Sequence, residues 1–134
     1  MGRILGIDYG EKRIGLALSD EGQQFSFEHE IWAASEFFKK IPKLISEKEI
    51  EKIILGYPLN LKGEKTKKTE EVLQFKTQLE RILPAGVGVE MLDERFSSQM
   101  AGKIAGTSKN IDSLAAQIFL QNYLNKNAKK TKEI

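Results

Sequence analysis

The sequence predicts an α/β domain, a mixed β-sheet with helices on both faces. Three observations point there. Short apolar runs suited to strands recur at 4–9, 13–19, 25–31, 52–56 and 87–92. Apolar residues repeat at helical spacing over 34–48, from about 69 to Pro84, and over 111–124. The first three runs follow one another as a meander, and the later ones alternate with helices, the arrangement that makes parallel pairs. The predicted order is β-β-β-α-β-α-β-α-α.

The first run, Ile4 to Ile7, delivers a single carboxylate, Asp8. Gly10 lies two residues on, where close approach of a ligand or a tight turn suits glycine. Lys12 and Arg13 precede the second run, Ile14-Gly-Leu-Ala-Leu18, so the pair reads as a hairpin. The third run, 25–31, alternates imperfectly. Phe37, Phe38, Ile41, Leu44 and Ile45 mark the first helix, with Pro42 inside it as a possible bend or stop. Residues 52–56 read as a buried strand ending at Gly56, followed by the turn-rich Tyr57-Pro-Leu-Asn-Leu-Lys-Gly63. Val72, Phe75, Leu79, Ile82 and Leu83 mark the second helix. The strand at 87–92 runs into Asp93-Glu-Arg95, and a short helix is expected over 99–105. Ile111, Leu114, Ala115, Ile118 and Phe119 line one face of the last helix. Trp32 and the phenylalanines read as core, and His29 as an ordinary strand or loop residue.

The 134 residues suit one domain, expected over 1–125, with a basic disordered tail at 126–134. Hydrophobic residues make up 40% of the chain, enough to bury a core. The absence of cysteine excludes a disulfide framework and thiolate chemistry. No signal-peptide pattern follows Arg3, and no apolar stretch approaches the ~20 residues of a membrane span. A cytoplasmic protein with no membrane partner is expected. The net charge of +2 says little about partners, but its distribution says more. Lys62, Lys65, Lys67 and Lys68 cluster mid-chain, and Lys126, Lys129, Lys130 and Lys132 cluster near the end. Such clusters serve phosphate backbones, or simply solubilise a loop and a terminus.

Three acidic positions stand at element boundaries: Asp8 after the first strand, Asp93 or Glu94 after the last, and Asp112 opening the last helix. If the first, fourth and fifth strands lie side by side, the first two positions converge and the helix adds the third. Gathered carboxylates repel unless cations neutralise them, and hard oxygen donors favour Mg²⁺ or Mn²⁺. One histidine and no cysteine argue against zinc. Two such ions could clamp a phosphodiester during in-line attack by water. Each acid also has a structural reading. Asp8 could cap a turn, Asp112 could favour a helix dipole, and Glu94 could pair with Arg95 or Lys103.

Four ordered blocks of the chain resemble the YqgF/RuvX family of Holliday-junction resolvases, also described as pre-16S rRNA nucleases. They are Leu5-Gly-Ile-Asp-Tyr-Gly-Glu-Lys-Arg-Ile-Gly-Leu-Ala-Leu-Ser-Asp20, Gly56-Tyr-Pro-Leu-Asn-Leu-Lys-Gly63, Asp93-Glu-Arg-Phe-Ser-Ser98 and Ile111-Asp-Ser-Leu-Ala-Ala116. The resemblance covers about residues 3–125. It implies a ribonuclease H-like domain with a five-stranded sheet. It implies Asp8, Glu94 and Asp112 as the catalytic, metal-holding acids, with Asp93 as an alternative to Glu94. It places Lys12, Arg13, Asn60 and Arg95 against substrate. The basic segment after Asn60, and Phe96-Ser-Ser in place of an aliphatic-Thr-Thr, depart from the family pattern.

The expected activity is therefore metal-dependent endonucleolytic hydrolysis of structured RNA or branched DNA, with trimming of the 5′ end of pre-16S rRNA foremost. The alternatives are a Holliday-junction resolvase and a non-catalytic nucleic-acid-binding module. An actin-like nucleotide phosphatase or sugar-kinase half-domain also carries Asp-x-Gly after its first strand, but this chain is short for that fold and shows no second such block. A monomer or a homodimer is expected, the latter suiting a two-fold symmetric junction.

Overall fold

The computed structural model describes residues 2–58, 62–93, 116–118 and 120–125. Five strands form one sheet: β1 (Arg3–Asp8), β2 (Arg13–Ser19), β3 (Ser26–Ala33), β4 (Ile50–Tyr57) and β5 (Gly88–Asp93). Their spatial order is β3-β2-β1-β4-β5. The meander β1-β2-β3 is antiparallel, whereas β4 pairs parallel to β1 and β5 parallel to β4. The mixed sheet expected from the sequence is thus present, and β1 sits at its centre. The carboxyl ends of β1, β4 and β5 share one edge.

Helix α1 (Phe37–Glu47) follows a single 3-10 turn, Ala34–Glu36, and α2 is Lys67–Ile82. The chain continues helically through Pro42, which neither stops nor shortens α1. Phe37, Ile41, Leu44 and Ile45 fill the buried stripe of that helix, and their burial outweighs the one backbone hydrogen bond that proline forgoes. A third helix, α3, is described over 116–118 and 120–125. The expected helix over 99–105 and the start of the last one lie outside the described residues, as does the lysine-rich tail.

Alternation along β1 divides the core in two. Leu5 and Ile7 face the larger cluster with Ile53, Leu55, Phe37, Val72, Phe75 and Leu79, under α1 and α2. Ile4 faces the smaller one with Ala17, Ile54, Ala116, Leu120 and Leu124, under α3. Helices therefore cover both faces. Trp32, Phe37 and Phe75 are buried as expected, but Phe25 and Phe27 are 58% and 56% exposed. Phe27 lies at the start of β3 and Phe25 directly precedes it, on an edge strand that has a neighbour on one side only.

Two polar devices fix the ends of elements. Thr66 caps α2: its side chain accepts from the Thr69 amide at 3.4 Å, and its own amide donates to Thr69 Oγ1 at 2.9 Å. The buried Thr69 hydroxyl also donates to the Pro58 carbonyl, which ties the start of α2 to the end of β4. Asp20 closes the β2–β3 turn, where its carboxylate accepts from the Gln24 and Phe25 amides at 2.8 and 3.0 Å. Those bonds hold its carboxyl below the usual carboxylate range.

Candidate active site at the carboxyl ends of the strands

Asp8 is the last residue of β1, half-buried, and pairs with Gly15 of β2. By alternation it shares a face with Ile4 and Gly6, the face that α3 covers. Gly6 shows how closely that helix approaches: a Cβ there would lie 3.1 Å from Leu120 Cβ and 3.3 Å from the Ala116 carbonyl oxygen. Glycine at this position lets α3 lie on the strand just below the carboxylate.

The direction of α3 follows from its partners. Ala116 and Leu120 lie at Gly6. Farther along, the Tyr123 hydroxyl accepts from Lys52 Nζ at 2.7 Å, and Lys52 pairs with Ile4, two residues nearer the start of β1. On the other flank, Ser26 Oγ donates to the Gln117 carbonyl at 2.7 Å, and Gln121 Nε2 donates to the Gln24 carbonyl at 2.8 Å. On both flanks, later helix residues meet positions farther from the carboxyl ends. The helix therefore runs antiparallel to β1, with its amino-terminal side toward Asp8. Asp112 precedes Ala116 by four residues in the sequence, but it lies outside the described residues.

The register also brings the end of β5 to the same edge. Ile7 pairs with Leu55, and Leu55 with Met91, so these three form one row across β1, β4 and β5. Asp8 comes one residue after that row and Asp93 two, with Asp93 opposite Tyr57. Two inter-strand steps of about 4.8 Å separate the strands. Glu94 and Arg95 follow directly in sequence and lie outside the described residues, as does Asn60.

Lys12 and Arg13 are exposed at the same end of the sheet. The Lys12 carbonyl accepts from the Ala34 amide at 2.9 Å, and Arg13 opens β2 opposite Ala33. Gly10 makes this hairpin possible, because a Cβ there would collide with the Arg13 carbonyl. Lys65, Lys67 and Lys68 are exposed around the start of α2, which the Thr69–Pro58 bond holds beside the end of β4. Lysines in a first helical turn oppose the macrodipole at a cost of ~0.3–1 kcal/mol each, so they concentrate positive potential there rather than stabilise the helix. The amino ends of α1 and α2 lie at the same end of the sheet, because each helix follows a strand that finishes there.

The carboxylate described at this edge, that of Asp8, is a hard oxygen donor. His29, the one histidine, lies mid-strand on β3, two strands from β1. Burial lowers its pKa. Among the described residues no group of three His, Cys, Asp or Glu side chains forms a cluster, since Asp8 alone of the three expected acids is described. Of the residues expected at the site, the structure brings Asp8, Lys12 and Arg13 to one end of the sheet.

Comparison with known proteins agrees with this geometry. The family model described as "RuvX: Holliday junction resolvase" matches residues 2–126. A Sulfurihydrogenibium protein named "Putative pre-16S rRNA nuclease" is 38% identical over 133 residues, covering 94% of this chain and 92% of that protein. A Maridesulfovibrio salexigens protein with the same name is 36% identical, covering 91% and 97%. Among solved structures, T. thermophilus RuvC in complex with a Holliday junction superposes with a TM-score of 0.59 at 12% identity, over 96% of both chains. The fowlpox virus resolvase with junction DNA gives 0.53 at 12% identity, over 93% of this chain and 98% of that one. The fold is thus that of the RuvC-like, ribonuclease H-like resolvases.

Proposed function

This chain belongs to the RuvX family, and we propose on that premise that it is a divalent-metal-dependent endonuclease whose substrate is precursor 16S rRNA. The observation that carries the reading is Asp8, held at the end of the central strand, under the amino-terminal side of α3 and beside exposed Lys12 and Arg13. Family membership and the nucleases at 36–38% identity supply the reaction class.

In this reading Asp8, Glu94 and Asp112 hold Mg²⁺ or Mn²⁺. Asp93 is the alternative to Glu94 as the second acid. Three facts support the grouping: Asp8 faces α3, that helix runs with its amino-terminal side toward Asp8, and β5 delivers its carboxyl end to the same edge. The ions, when bound, would activate water and stabilise the leaving oxygen. Lys12, Arg13, Asn60 and Arg95 hold and orient the phosphate backbone, with Lys65, Lys67 and Lys68 extending the basic surface. The domain comprises residues 1–125 and acts in the cytoplasm as a monomer or homodimer.

A labelled panel tests the substrate: a pre-16S rRNA fragment carrying its 5′ extension, single-stranded RNA and a four-way DNA junction, each with Mg²⁺, with Mn²⁺ and with EDTA. Metal-dependent cutting of the ribosomal fragment is expected. Cutting of the junction alone would make this a resolvase. Salt-sensitive binding with no cutting would make it a binding module.

A further inference from the structure

We propose that the cavity beside Tyr9 is a pocket for one unpaired nucleobase, guanine by preference, in the nucleic acid held at the strand ends; this rests on the nucleic-acid reading above. The cavity measures about 260 Å³ and lies between Tyr9, Phe38 and one face of α2. That is just below the roughly 300–1,000 Å³ of pockets for drug-sized ligands and suits one ring system. Its walls are aromatic. The Tyr9 and Phe75 rings lie 4.7 Å apart at 42°, and Phe38 and Phe75 lie 5.5 Å apart at 49°.

Polar groups converge at its mouth. Glu71, Gln74 and Gln78 follow i, i+3, i+7 spacing and so share a face of α2. Among the described residues none of these three side chains makes a hydrogen bond. The Glu71 carboxylate in the lining gives the pocket negative charge. Such a pocket repels phosphate and favours a neutral ligand rich in N–H donors.

Guanine presents two adjacent donors, N1–H and the 2-amino group, which match the two oxygens of the Glu71 carboxylate. Its O6 and N7 are acceptors for the glutamine amides. Adenine and cytosine offer a single amino group beside an acceptor, and uracil offers one imino N–H. The pocket is also well placed. Tyr9 directly follows Asp8, so a nucleotide whose phosphate rests at Asp8 has its base within reach of the opposite face of the strand end. Stacking of splayed bases on aromatic side chains is a common means of reading RNA.

The test is binding by the full chain carrying Asp8→Asn, followed by fluorescence anisotropy in Mg²⁺. The ligands are RNA hairpins with a single bulged G, inosine, A or U, and a fully paired stem. Bulged G is expected to bind at least ten-fold tighter than the paired stem. Inosine, which lacks the 2-amino group, is expected to lose about ten-fold of that. Adding Glu71→Gln should abolish the G–inosine difference. Adding Gln74→Ala with Gln78→Ala should weaken the bulged hairpins while sparing the paired stem. Equal binding of all five RNAs, or a G–inosine difference that survives Glu71→Gln, overturns the proposal. Metal-dependent cutting by the parent chain without any bulge preference rejects the pocket and keeps the nuclease. A bulge preference without cutting does the reverse.

Discussion

Replacing Gly6 by valine drives a wedge between β1 and α3, two residues before Asp8. The first added carbon already meets Leu120 Cβ at 3.1 Å, the Ala116 carbonyl at 3.3 Å and Leu120 Cδ2 at 3.4 Å. Alanine therefore requires a shift of only a few tenths of an ångström. Relief from the entropic cost of glycine in a strand, ~0.5–1 kcal/mol, offsets much of that strain. Valine adds two further carbons in the same gap, where Leu120 and Ala116 are fully buried and cannot move outward without opening the smaller core. Overpacking of this kind costs ~1–3 kcal/mol. For a domain of this size that is a drop in Tm of roughly 4–12 °C. The variant should still fold, because the larger cluster under α1 and α2 is untouched. Scanning calorimetry and single-turnover cleavage read the two effects separately. Gly6→Ala should stay near parental in both, while Gly6→Val should lose Tm and at least ten-fold in cleavage rate below its melting range. A Gly6→Val protein with parental Tm and rate would refute the packing of α3 against β1.

Thr69→Val keeps the shape of the side chain but removes both its cap bond with Thr66 and its bond to Pro58, and should cost about 2 kcal/mol in urea unfolding. Leu79→Ala, at a fully buried position in the larger core, should cost ~2–5 kcal/mol in the same assay, and a smaller loss would mean that α2 packs loosely. Burial depresses the pKa of His29 in the folded protein, so its contribution to stability is complete above the unfolded value of about 6.5. That contribution falls as pH drops from there toward the folded value; His29→Gln should therefore flatten the Tm-against-pH curve below about pH 6.5.

Much of the fold is legible in the sequence because its strands are short apolar runs punctuated by glycine and charge. Ile14 to Leu18 and Ile53 to Leu55 are buried on one or both faces, so their hydrophobicity is nearly continuous. Helix α1 is legible from its apolar stripe, and the stripe also explains why Pro42 does not break it. Element boundaries are less legible. The amino end of α2 lies at Lys67, because Thr66 and Thr69 cap each other without the Glu or Gln that marks the usual capping box. The exposure of Phe25 and Phe27 depends on β3 being an edge strand, which composition does not reveal. Asp8 stood out as a lone acid ending an apolar strand. The Tyr9 cavity gave no sequence signal, because its lining joins the end of β1, the start of α1 and the middle of α2.

On the proposed mechanism, phosphodiester hydrolysis depends on the metal that Asp8 holds. The most direct test is the single-turnover rate of Asp8→Asn on the pre-16S rRNA fragment with saturating Mn²⁺, alongside RNA affinity measured in EDTA. At least a hundred-fold loss of rate is expected, with affinity within about three-fold of the parent chain. Unchanged cleavage by Asp8→Asn would contradict that mechanism.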